Sequence, residues 1–110
     1  MFGAEELVAP HLLWSESRSA LHEARWRREI SREQALATFE ALERAPIGAR
    51  DHPDLGPAAW SVADEMGWAK TYDAEYVALA RLLGCRLVTL DRRLRSACAR
   101  LRFVVSPAEL

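Results

Sequence analysis

The chain has 110 residues, of which half are hydrophobic and 28% are charged, and its 15 basic and 16 acidic side chains give a net charge of −1. This length suits one small domain that buries roughly two-thirds of its unfolded surface. The balanced charge excludes nucleic-acid binding through overall charge, so any contact with phosphates must be local. No apolar run could span a bilayer and no signal-peptide pattern is present, so we expect a cytoplasmic protein.

The amino-terminal half predicts a short strand followed by a helical hairpin. Leu7–Ala9 is a possible strand, and a helix is expected from Pro10 to about Arg28 because proline suits the first turn of a helix. Ser31 and Gln34 form a capping-box pattern, which begins a second helix that ends near Ala45. We expect these two helices to pack against each other.

The carboxyl-terminal half predicts helices that alternate with strands. It opens with a segment rich in glycine and proline, Ile47–Pro57, which is typical of a loop. The expected elements that follow are helices at about Ala58–Met66 and Tyr72–Leu83, a strand at Arg86–Leu90, a helix from Arg92 to about Arg100 and a strand at Arg102–Val105. Gly67 and Gly84 should end the first two of these helices. The alternation implies a parallel sheet with helices on both faces, in a single α/β domain of residues 1–110.

Three acidic residues are candidates for catalysis and metal binding. Asp91 directly follows the predicted Leu87–Leu90 strand, at the carboxyl end where open α/β sheets place their ligand sites. Asp73 lies in the first turn of the helix that Thr71 can cap, and Glu16 interrupts the apolar stripe of the first helix, so we expect both to face inward. Clustered carboxylates repel unless a cation holds them ionised, and their oxygens suit Mg²⁺. The three acids therefore indicate a nuclease or a phosphatase.

Each of these residues also has a purely structural interpretation, which the sequence leaves open. Glu16 could pair with an arginine or reach solvent, Asp73 could favour the helix dipole, and Asp91 could cap the next helix. Thr89 points to the same side of its strand as Asp91 and could orient a metal-bound water, although threonine also simply suits a strand. Nearby arginines could hold an RNA backbone or form an exposed helix face: Arg92, Arg93 and Arg95.

The remaining reactive or aromatic residues have simpler interpretations. The cysteines, Cys85 and Cys98, fit neither a zinc spacing nor a disulfide scaffold, so we expect core residues. The tryptophans are more simply core or dimer-contact residues than base-stacking platforms: Trp14, Trp26, Trp60 and Trp68. A DNA-binding helix pair is a further possibility, against which the near-zero net charge argues; it would use Arg25, Arg27, Arg28 and Arg32.

Two segments carry a resemblance to a known family. LVAPHLLWSESRSAL is similar to a segment that holds the family glutamate, and TYDAEYVALARLLGCRLVTLDRRL is similar to the YDA and T-x-D segments, of PIN-domain proteins of the VapC toxin family. The resemblance covers nearly the whole chain. It implies a PIN-like α/β/α sandwich and a metal-dependent endoribonuclease, with Mg²⁺ or Mn²⁺ held by Glu16, Asp73 and Asp91 and with Thr89 in support. It also implies a homodimer, inhibited by a VapB-like antitoxin whose peptide enters the active-site groove.

The chain departs from that family at its amino terminus. Family members begin with an apolar strand that ends in an aspartate, followed by a helix, before the segment that here starts at Phe2. We therefore expect the family's first strand, first helix and fourth acid to be missing because of a wrong or truncated start. Losing that acid should lower activity at least roughly 10–100-fold. The alternative is a non-catalytic PIN-like remnant that dimerises or binds an antitoxin without cutting RNA.

Overall fold

A computed structural model describes residues 7–88 together with Ser96, Cys98 and Val104–Val105. Contacts divide the chain into two compact units, residues 1–50 and residues 51–110, and each unit is described by itself. The predicted single domain stays a prediction. Within the described part of the chain, no helix combines the length and the apolar character needed to cross a bilayer.

The first unit has the element order β-α-α-β. Its strands, β1 (Leu7–Ala9) and β2 (Ile47–Ala49), pair in parallel. Between them in sequence lie α1 (Leu12–Trp26) and α2 (Arg32–Arg44), which pack against each other as the predicted hairpin. The prediction of a loop over Ile47–Pro57 is wrong for β2. A three-residue strand that contains a glycine is too short to show an alternating pattern, and here it depends on pairing with β1.

The predicted capping box begins α2. The hydroxyl oxygen of Ser31 accepts a hydrogen bond from the backbone N–H of Gln34 at 3.0 Å. In return, the side-chain oxygen of Gln34 accepts one from the backbone N–H of Ser31 at 2.8 Å. Two N–H groups that the helix itself cannot satisfy therefore have partners, which fixes where α2 starts.

The carboxyl end of α1 is closed by backbone hydrogen bonds. The N–H of Arg28 donates to the carbonyl of Arg25 and the N–H of Glu29 donates to the carbonyl of Ala24, both at 2.9 Å. Arg28 has a φ of 62° and is the non-glycine residue with positive φ among those that the structure describes. This is a Schellman motif with arginine at the position where glycine is usual.

The first unit buries few side chains. Among its described residues, those that are buried are Ala9, Pro10 and Ala35. The helix α1 has no buried residue, although Leu12, Leu13 and several others along it are half-buried. The apolar stripe predicted for α1 thus exists, but it is only partly covered.

The second unit contains α3 (Leu55–Met66), α4 (Tyr72–Leu83), β3 (Leu87–Val88) and β4 (Val104–Val105). The two strands pair in parallel, so both described strand pairs are parallel and the predicted α/β class is confirmed. The helix α3 starts three residues earlier than Ala58, the predicted first residue. Its first turn accepts a proline because the N–H that proline lacks has no partner within a helix there.

Two glycines end the helices of the second unit, as predicted. Gly67, with a φ of 70°, follows α3, and Gly84, with a φ of 66°, follows α4. Both conformations lie in the left-handed region, which glycine adopts without steric cost. The bounds of α4, Tyr72–Leu83, are those expected from the sequence.

The core of the second unit lies mainly between α3 and α4. Its fully buried members are small: Ala59, Val62, Ala63, Ala74, Val77, Ala78 and Cys98. Larger side chains, among them Met66 and Trp68, pack around this cluster while remaining partly exposed. At the rim, the guanidinium of Arg81 on α4 lies 3.4 Å from the carboxylate of Glu65 on α3. Small side chains let the two helix backbones approach closely, and Leu87 of β3 packs against the same cluster.

Candidate active site

Asp73 lies in the first turn of α4 and is exposed. Its carboxylate has no hydrogen-bond or ion-pair partner within the part of the chain that the structure describes. Thr71 occupies the N-cap position as predicted, but its side chain makes no capping hydrogen bond. The prediction that Asp73 faces inward is wrong. A first-turn side chain leans toward the amino end of its helix, which carries this carboxylate past the buried face that begins at Ala74.

Glu16 lies in the middle of α1, in the first unit, and is also exposed. The prediction that Glu16 faces inward is therefore wrong, and the alternative in which it reaches solvent agrees with this position. The stripe around it contains half-buried leucines and not a closed core, so a carboxylate at this position keeps access to water. No desolvation penalty then compels Glu16 to bind a cation.

The predicted convergence of three acids stays a prediction. Glu16 belongs to the first unit and Asp73 to the second, so neither unit contains both. The positions of Asp91 and Thr89 lie outside the described residues, and so do those of the predicted RNA-binding arginines, Arg92, Arg93 and Arg95. Among the residues described, no three His, Cys, Asp or Glu side chains are grouped so that they could hold a metal ion. Both described acids carry carboxylates, the type of ligand that a hard divalent cation prefers.

The tryptophans and cysteines divide between exposed and covered positions. Trp26 is 77% exposed and Trp60 is 69% exposed, whereas Trp14 and Trp68 are half-buried. Cys98 is buried as expected, but Cys85 is exposed, since it follows the glycine that ends α4. The strong exposure of Trp26 could not be predicted from the sequence pattern alone.

The chain is an α/β protein with parallel strand pairs, a helical hairpin and a helix–strand unit. An exposed aspartate in the first turn of that unit's helix belongs to the candidate acidic site. The family model of the PIN domain matches residues 2–99, and the chain belongs to the PIN-domain family. The resemblance drawn from the two sequence segments is thereby confirmed.

Curated relatives agree with this family. The VapC ribonuclease Mb0985 of Mycobacterium bovis and the ribonuclease VapC9 of Mycobacterium tuberculosis are each 32% identical over 94 residues, which cover 86% of this chain and 72% of the relative. The ribonuclease VapC1 of Mycobacterium tuberculosis is 41% identical over 90 residues, which cover 81% of this chain and 65% of the relative. The likeness thus extends across most of the chain.

Proposed function

We propose that this chain is a VapC-type endoribonuclease that hydrolyses RNA phosphodiesters. The observation that carries the proposal is the 32–41% identity to VapC ribonucleases over more than four-fifths of the chain. The structure adds a supporting feature, since Asp73 presents a carboxylate that no described side chain neutralises.

In this proposal Glu16, Asp73 and Asp91 hold Mg²⁺ or Mn²⁺, and Thr89 orients a water beside them. The bound ion would neutralise charge on the scissile phosphate and lower the pKa of its water. The chain's own cations, Arg92, Arg93 and Arg95, would hold the RNA backbone.

The proposal includes the partners implied by the resemblance. The chain acts as the toxin of a toxin–antitoxin pair in the cytoplasm, a VapB-like antitoxin restrains it, and the active form is a homodimer. Large apolar side chains on the surface of the second unit suit such contacts, because Trp60 is 69% exposed and Tyr72 is 51% exposed. Aromatic residues are enriched at protein interfaces.

The test is cleavage of a labelled RNA by the 110-residue chain with Mn²⁺, with EDTA as the metal-free control. Asp73→Asn should lower the cleavage rate by at least about tenfold, because loss of a metal ligand costs at least as much as loss of a residue that only orients one. Asp64→Asn is the matched control, since Asp64 is an exposed aspartate on α3 outside the family motifs. It should cleave at the unaltered rate.

Two results would count against the proposal. Equal cleavage by both variants would show that Asp73 is not part of the active site. A chain that binds a VapB-like antitoxin without metal and cuts no RNA would instead support the non-catalytic interaction module.

A further inference from the structure

The turn between α1 and α2 concentrates positive charge. Residues 25–32 hold four arginines and one glutamate. Arg27 is neutralised within α1, since its guanidinium lies 2.8 Å from the carboxylate of Glu23. The other three arginines are exposed and line one shallow depression; these residues and the tryptophan that ends α1 are here called the turn patch: Arg25, Trp26, Arg28 and Arg32.

Within the described residues, the three arginines of the turn patch have no ion-pair partner. Their neighbours in the depression include Ser31 and Gln34, whose side chains are engaged in the capping box of α2. Glu29 also lines the depression, so three cations face one anion there and the local charge stays positive, which favours an anionic ligand.

Trp26, the residue that follows Arg25, presents an exposed aromatic ring. It is 77% exposed, although it is the last residue of α1 and a large apolar side chain is normally covered. It lines a second depression together with Arg18, His22 and Glu23, and this depression shares no lining residue with the first. An exposed ring beside polar and basic groups can stack on a planar ligand.

Arg28 has an unusual backbone conformation for a residue with a side chain. It occupies the left-handed position of the Schellman motif, with a φ of 62°, where glycine would be unstrained. A strained residue is kept where its surroundings or its function need its side chain. Here the backbone motif needs no side chain at all, so the cation of Arg28 is the feature that glycine could not supply.

We propose that the turn patch is a docking site for single-stranded RNA, with bases stacked on Trp26 and phosphates held by Arg25, Arg28 and Arg32. The inference rests on the proposed function, which makes RNA the substrate, and it uses none of the predicted catalytic acids. Single strands fit better than a duplex because only unpaired bases can stack on a protein ring. In a chain whose overall charge is close to zero, contacts with phosphates must come from a local cluster of cations such as this one.

The test measures binding of a fluorescein-labelled ten-nucleotide single-stranded RNA to the full chain by fluorescence anisotropy, in EDTA to prevent metal-dependent cleavage. Trp26→Ala should weaken binding about tenfold, as loss of a stacking platform does. Trp26→Phe is its matched control, because it keeps an aromatic ring at the same position, and it should retain most of the binding.

Arg28→Gly gives a more selective readout. It should weaken RNA binding and lower the slope of log affinity against log salt by about one, while thermal stability stays the same or rises because the strain is removed. If Arg28 had only a structural role, Arg28→Gly would instead lower the thermal stability. Arg44→Ala, which removes an exposed arginine from the last turn of α2, should alter neither quantity.

Several results would overturn the inference. Failure of the unaltered chain to bind the RNA, or equal affinity for a duplex, would be such a result, and so would unchanged RNA binding by Trp26→Ala and Arg28→Gly. If a patch variant sediments as a monomer where the unaltered chain sediments as a dimer, yet binds RNA normally, the patch is a dimer contact and not an RNA site. If the variants of the turn patch bind RNA normally and the unaltered chain cleaves RNA, the docking site is refuted and the proposed function stands. Patch-dependent binding by a chain that never cleaves RNA would support the docking site and refute the proposed nuclease.

Discussion

At the scale of single residues, the core of the second unit is made of small, buried side chains. Val77 and Ala78 on α4 are completely buried, and Ala59 and Ala63 on α3 are nearly so. In a closely packed helix pair of this kind, the neighbouring side chains cannot move to fill the cavity that a removed methyl group leaves.

Val77→Ala should therefore lower the free energy of unfolding by about 2 kcal/mol, from lost transfer energy and the cavity that remains. Urea denaturation followed by circular dichroism measures it. Leu36→Ala removes more atoms, but Leu36 is 48% exposed, so its cost should be smaller. Equal losses at the two positions would show that α3 and α4 are not tightly packed.

The exposure of the two described acids illustrates what sequence patterns leave undetermined at this scale. The pattern correctly locates Glu16 on α1 and Asp73 in the first turn of α4. It does not show that the α1 stripe is only partly covered, nor that a first-turn side chain projects beyond the packed face. Which face a residue shares follows from spacing, but what covers that face is a property of the tertiary structure.

At the scale of elements, the helix ends differ in how they are held. Ser31 caps α2 through its side chain, whereas Thr71, at the equivalent position of α4, makes no such hydrogen bond. The backbone of Ser31 is extended, with a ψ of 163°, whereas that of Thr71 has a ψ of 0°, and Thr71 is followed three residues later by Ala74 and not by a glutamine. They therefore form a natural pair for comparison.

Ser31→Ala should destabilise the chain by about 1 kcal/mol because the N–H of Gln34 loses its partner. Thr71→Ala should change stability by well under half of that. Thermal melts of the two variants measure the difference. If the threonine variant proved the more destabilised, the capping interpretation of both helices would have to be abandoned.

The glycines of the second unit allow an experiment in which the sign of the effect is diagnostic. Gly84→Ala forces an L-residue into a φ of 66° and should cost roughly 1–2 kcal/mol. Gly56 lies inside the first turn of α3, and an added methyl group would meet nothing within 4 Å. Gly56→Ala should therefore stabilise the chain by about 0.5 kcal/mol. Chemical denaturation should show the two shifts in opposite directions.

Most elements could be predicted because they carry local signals. The capping box at Ser31 and the glycine stops at Gly67 and Gly84 act within one turn of chain, so the sequence shows them directly. The strand β2 and the early start of α3 could not be predicted in this way. The strand exists through pairing with β1, and glycine and proline in the first turn of α3 imitate a loop.

At the scale of the whole molecule, the two units differ in how much they bury. Within the described residues, the first unit buries three, whereas α3 and α4 share a contiguous buried cluster. Local opening is easiest where few apolar contacts are lost.

Backbone amides in the middle of α1 should therefore exchange with deuterium faster than those in the middle of α4. The experiment is native-state hydrogen exchange at constant pH, read by peptide mass spectrometry. Protection of α1 equal to that of α4 in the isolated chain would show that the first unit is held by more than its own buried side chains.

The distribution of tryptophans supplies a convenient optical reporter. Each unit carries one indole in water and one that is partly shielded: Trp26 with Trp14 in the first, and Trp60 with Trp68 in the second. Replacing the two tryptophans of one unit by phenylalanine would leave emission from the other unit alone. The red shift of the shielded indole and the iodide quenching of the exposed one would then report, unit by unit and without any attached dye, when the protein opens.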